Sequence, residues 1–127
     1  MPERRTVERA KKDLREGKSP TTAAGEFVRE EMEHIREGKH GARSTKQAIA
    51  IGLSKARRSG VPLKPPSKGK ASTRRSAKRA YEVGQGRRKA RSPSRRRSSA
   101  VKRALRREPR SAASHRALSR QAKRSRR

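Results

Sequence analysis

After residue 70 the sequence is punctuated by short basic runs: Arg74-Arg75, Lys78-Arg79, Arg87-Arg88-Lys89, Arg95-Arg96-Arg97, Lys102-Arg103, Arg106-Arg107, and finally Arg124, Arg126 and Arg127. Such runs suit one kind of chemistry, the binding of phosphate. Each cation that meets a backbone phosphate releases condensed counterions. The planar fork of Arg, which dominates these runs, pairs with phosphate oxygens two at a time. Solubility alone asks a small domain for a net charge of about 2–8, and this chain carries +29. The expected partner is therefore DNA, with RNA as the alternative, and the residues just named are the expected contacts. Base reading has little to work with. The only aromatic residues are Phe27 and Tyr81, so stacking platforms are scarce, and neither a zinc-finger spacing nor an RNA-recognition aromatic motif occurs.

Other chemistries lack an inventory. Glu31-Met32-Glu33-His34 is one copy of the Glu-x-x-His spacing used in carboxylate-bridged helix bundles. Those sites need a second copy and further glutamates, which His40 and His115 do not supply. A solvated charged face is the expected state of Glu30, Glu31 and His34, and no metal or other cofactor is expected. There is no Cys, which removes disulfides, thiolate zinc sites and thiol catalysis. No strand precedes a glycine loop. The chain is expected to be non-enzymatic.

The charge is uneven. Residues 1–63 hold 15 Lys/Arg against 9 Asp/Glu, while residues 64–127 hold 25 against 2. Between them, Pro62, Pro65 and Pro66 argue for an extended linker over 64–70. The expected fold class is all-α, with a helical module over 1–63 and a largely disordered basic tail over 71–127. Three helices are predicted in the module. The first runs from a Thr6 cap through Val7, Ala10 and Leu14 to Gly17. The second is capped by Ser19, with Pro20 at its first position and an apolar stripe of Ala24, Phe27, Val28, Met32 and Ile35, and it ends at Gly38. The third opens on Ser44 with Gln47 reaching back to the Ser44 amide, presents Ile49, Leu53 and Ala56, and closes at Gly60. Leu14-Arg15-Glu16-Gly17-Lys18 recurs as Ile35-Arg36-Glu37-Gly38-Lys39, which shared glycine-capping chemistry explains better than a duplicated unit.

The tail has helical potential over 71–83, 98–107 and 111–124, with Ser98 and Ser111 as caps. Its large apolar residues are Tyr81, Val83, Val101, Leu105 and Leu118. They are too few to offset the ordering of so many residues under strong self-repulsion. Its helices are accordingly expected to form on phosphate neutralisation. The pair 98–107 and 111–124 has helix–turn–helix-like spacing but no core behind a recognition helix.

Gly25 to Glu31, followed by Gly38-Lys39-His40-Gly41-Ala42-Arg43-Ser44-Thr45-Lys46-Gln47-Ala48-Ile49-Ala50-Ile51-Gly52-Leu53-Ser54-Lys55-Ala56-Arg57, resembles a bacterial family of small basic proteins classed as a domain of unknown function. The resemblance covers roughly residues 3–63, and Arg110 to Arg120 also looks like longer members. Some members are labelled plasmid stabilisation or DNA-binding proteins, which implies a DNA-associated, nucleoid role in the bacterial cytoplasm and supplies no catalytic residues. Ser92-Pro93-Ser94-Arg95 resembles the Ser-Pro-basic turns of linker-histone tails. No segment has the apolar length of a signal peptide or a membrane span, so no membrane partner is expected. The apolar stripes of the module predict self-association. Three rival functions remain: an RNA- or ribosome-associated protein, a protein-interaction module anchored by its tail, and a toxin or antitoxin partner.

Overall fold

The computed structural model describes residues 2–92 and 94–125, and among these every regular element is a helix. In chain order they are α1 (Arg4–Arg15), α2 (Pro20–Arg36), α3 (Thr45–Arg58), α4 (Ala71–Gly84), α5 (Arg95–Arg107) and α6 (His115–Ser125), with one 3-10 turn at Ser111–Ala113.

Local sequence sets most of the boundaries. Ser19 Oγ accepts from the Thr22 N–H at 3.3 Å, and Ser44 Oγ from the Gln47 N–H at 3.1 Å, satisfying donors that a helix start leaves open. Gln47 does reach back, but its Oε1 accepts from the Arg43 N–H at 2.7 Å rather than from Ser44. The tail helices use other caps than predicted: Ser94 accepts from Arg97, and Ser114 from Ala117, each at 3.1 Å. Ser98 lies inside α5, and Ser111 opens the 3-10 turn. At the C-terminal ends, Gly17 and Gly38 both take φ of +81°. Gly17 donates to Leu14 O and Lys18 to Asp13 O; Gly38 donates to Ile35 O and Lys39 to His34 O. This is the Schellman arrangement, and it accounts for the internal repeat as shared capping. The same bond pattern closes α3 at Gly60 and α4 at Gly86, where the repeat sequence is absent.

The chain forms two compact units that cut across its linear order: Met1–Glu30 with Gly52–Ala90, and Glu31–Ile51 with Arg91–Arg127. Helices α2 and α3 each contribute to both. The first unit has its core at Ala10, Ala23, Ala24, Phe27, Ala56 and Val61, with Val7, Leu14, Leu53 and Leu63 packed on it. In the second, Met32, Ile35, Ala42, Ala48, Ala112 and Ala113 are buried. The α2 stripe is buried as the periodicity predicts, apart from the half-buried Val28. On α3 the buried small residues are Ala48, Gly52 and Ala56, with Thr45 and Arg57 at its ends, while Ile49 and Leu53 are only half covered. The reason is close approach: a Cβ on Gly52 would sit 2.7 Å from the Val28 Cα.

The expectation of a disordered tail is corrected. In the first unit Ala77 and Ala80 of α4 are buried. There, a Cβ on Gly84 would lie 1.7 Å from the Arg57 carbonyl oxygen, and Gln85 Nε2 donates to Gly60 O at 3.2 Å. In the second unit the last turn of α5 and the chain after it are tied to the loop before α3 and to its first residue. Gly41 donates to Leu105 O at 2.8 Å and Ala42 to Pro109 O at 3.0 Å, while Thr45 Oγ1 donates to Ala112 O. Two arginines cross-cap: Arg36 Nε donates to Ala113 O at 3.0 Å, and the Arg110 guanidinium donates to the Ile35 and Arg36 carbonyls at the end of α2. Carbonyls left open at a helix C-terminus favour such a cation. The tail thus docks through alanine, glycine and main-chain hydrogen bonds. None of these registers in a count of large apolar side chains, which is why composition pointed to disorder.

Candidate nucleic-acid interface

Helix α4 owes its charge distribution to the alanine spacing. Ala77 and Ala80, three apart, define the buried face. Arg74, Arg75, Lys78 and Arg79 are consequently all exposed. The turn at Gly86 then brings the next basic run back toward the helix. Arg75, Lys78, Arg79 and Arg88, with Ser76 and Glu82, line one cleft of about 450 Å³. Arg88 Nε stands 3.5 Å from Glu82 Oε2, which holds its guanidinium at the cleft. Arg87 lies over the Tyr81 ring at 5.9 Å from the centroid, a cation–π distance. Lys89 is exposed beyond it. Four cations thus stand around one open cleft, against a single carboxylate.

In the second unit α5 buries no residue. Ser98 and Leu105 are its half-covered positions, so Arg95, Arg96, Arg97, Lys102, Arg103, Arg106 and Arg107 all face solvent. A helix–turn–helix reader needs a packed core behind its second, recognition helix, and neither α5 nor α6 buries a residue. Arg124 lies with Lys46 and Arg120 around a cleft of about 310 Å³ that also includes Ser44, Thr45, Ala117 and Gln121. Here the first turn of α3 adds the partial positive charge of a helix N-terminus.

The expected contacts therefore divide. Arg75, Lys78, Arg79 and Arg88 come together; Arg124 joins two cations outside the basic runs; Arg74, Arg87, Lys89 and the α5 residues are exposed and line neither of these two clefts. Arg126, Arg127 and Pro93 of the Ser-Pro turn lie outside the described residues. Lys46 and Arg120 were missed because neither belongs to a run, although Arg120 and Arg124 stand i, i+4 on one helix face.

Some arginines are committed to main-chain carbonyls. Arg36 and Arg110 are committed to carbonyls as above. Arg57 is buried, donating to Leu63 O at 3.1 Å and Lys64 O at 3.2 Å, and burial lowers its pKa from the usual arginine value.

Two glutamates expected on a solvated face are instead buried, Glu30 at 4% and Glu31 at 0% exposure. Glu30 Oε1 accepts from the Glu3 N–H at 2.6 Å and the Thr6 hydroxyl at 3.1 Å. It supplies the negative charge that the first turn of α1 lacks.

Comparison with protein-family models, with curated proteins and with solved structures returned no match.

Proposed function

We propose that the protein is a non-enzymatic nucleic-acid-binding protein that takes duplex DNA with little sequence preference, by neutralising backbone phosphates. The observation that carries this is the cleft of α4, where Arg75, Lys78, Arg79 and Arg88 converge while the opposite face is alanine. A folded scaffold presents these cations with less ordering cost on binding than a disordered tail would incur. The exposed cations of α5 extend the phosphate-binding surface of the second unit. The charge of the two units supports the reading. The first carries 21 Lys/Arg against 7 Asp/Glu and the second 19 against 4, so each is a polycation in its own right. Two such units in one chain suit bridging or compaction, since linked sites raise effective concentration. The family resemblance over residues 3–63, with its DNA-binding and plasmid-stabilisation labels, agrees with this role and with a nucleoid location.

The test is a binding titration of the full chain against duplex DNA and structured RNA at equal phosphate concentration, across a salt series. Log affinity for DNA is expected to fall linearly with log salt, at about −0.9 per phosphate contact. The double variant Arg75→Ala/Arg79→Ala should flatten that slope by about 1.8. A marked preference for RNA, or an unchanged slope in the variant, sinks the corresponding part of the proposal.

A further inference from the structure

The Schellman turn at Gly38 reverses the chain, so that His40 returns to the last turns of α2. There it meets Glu31 and His34, which the i, i+3 spacing places on one side of that helix. One donor atom from each of the three residues lies within 4.8 Å of the others. His40 Nε2 stands 3.3 Å from Glu31 Oε2, and the His34 and His40 rings meet edge to face, 6.4 Å between centroids.

We infer that Glu31, His34 and His40 form a binding site for a divalent transition-metal ion of the zinc type. Two imidazoles and one carboxylate are the donors of a three-ligand zinc site whose fourth position takes water. The orientation of His40 fits. Its Nδ1 lies 2.9 Å from the Gly41 carbonyl oxygen, so Nδ1 carries the proton and Nε2 is left as the donor that faces Glu31. A backbone carbonyl holding the far nitrogen is the usual outer partner of a metal-bound histidine. The burial of Glu31 points the same way. A carboxylate at 0% exposure needs a counter-charge. A divalent ion is one such charge, and both rings stay neutral beside it, the form in which they coordinate.

The site also has something to hold. It ties α2 to residue 40, next to Gly41 and Ala42, whose amides bind the Leu105 and Pro109 carbonyls. A bound ion therefore fixes the loop onto which the tail of this unit docks, and its effect is on stability and independent of nucleic-acid binding.

The experiment adds zinc chloride alone to the full chain after chelator treatment. One ion per chain is expected, with a raised melting temperature. The imidazole resonances of His34 and His40 should shift, and those of the exposed His115 should not. His34→Gln and His40→Gln should each weaken binding by more than the roughly 10–100-fold that outer-shell changes cost, while His115→Gln leaves it intact. If zinc in excess leaves the His34 and His40 resonances unmoved, the trio is only a buried ion pair and the inference falls. It falls equally if His115→Gln weakens binding as much as the other two. The resonance measurement is made on the wild-type chain, so it decides the matter even where a variant fails to fold.

Discussion

Glu30 caps a helix to which it does not belong. Its Oε1 binds the Glu3 amide and the Thr6 hydroxyl at the start of α1, a role its neighbours in sequence do not reveal. Glu30→Ala leaves that amide and hydroxyl without their acceptor, and should lower stability by about 1–3 kcal/mol in a denaturant titration. Gly25 behaves in the opposite way. It is exposed inside α2, and a Cβ there would meet nothing within 4 Å. Gly25→Ala should therefore raise stability by about 0.5–1 kcal/mol, measured the same way. The two cases show where sequence is informative about single residues. The cost of a mid-helix glycine follows from backbone entropy alone. The burial of Glu30 depends on which helix start the fold brings to it.

The docking of α4 and of the 105–113 segment turns on two glycines. A Cβ at Gly41 would fall 1.8 Å from the Glu108 carbonyl oxygen, inside the pair of main-chain bonds that anchor the segment. Gly84 stands in the same relation to Arg57. Gly41→Ala and Gly84→Ala should each destabilise by about 1–3 kcal/mol or more. Hydrogen exchange should show the loss concentrated at the 105–113 amides in the first variant and at the end of α4 in the second. Helix identity was legible here. The predicted 71–83 and 98–107 lie inside α4 and α5, and 111–124 overlaps α6, whose start falls four residues later at His115 after the 3-10 turn. Their docking was not, because close backbone approach leaves only a glycine in the sequence, and glycine also marks turns and caps.

Across the full chain, the linear and spatial charge distributions differ. The halves of the sequence are sharply unequal in charge, yet the two units are nearly equal, at +14 and +15. Each unit draws elements from both sides of the Pro-rich segment. A fragment 64–127 is thus cut out of both units and loses the partners of Gly84, Leu105, Pro109 and Ala112. It should give a coil-like far-UV circular dichroism spectrum at low salt, where the full chain is helical. Self-repulsion should also make the intact protein salt-sensitive. Raising sodium chloride from about 20 to about 200 mM shortens the screening length, and a scanning fluorimetry melt should move upward.

Composition and periodicity were enough to determine that the chain is helical, where its helices stop, and that it is a polycation. These follow from local backbone preferences and from net charge, neither of which needs a partner element. Which cations converge, which arginines are consumed in capping carbonyls, and whether Glu31 meets His40 were decided by folding. Those outcomes depend on approaches between residues far apart in the chain, such as Arg110 with Ile35 or Gly84 with Arg57, and a linear pattern carries no term for them. The tail was misjudged on the same ground, since its order comes from the surfaces it docks against.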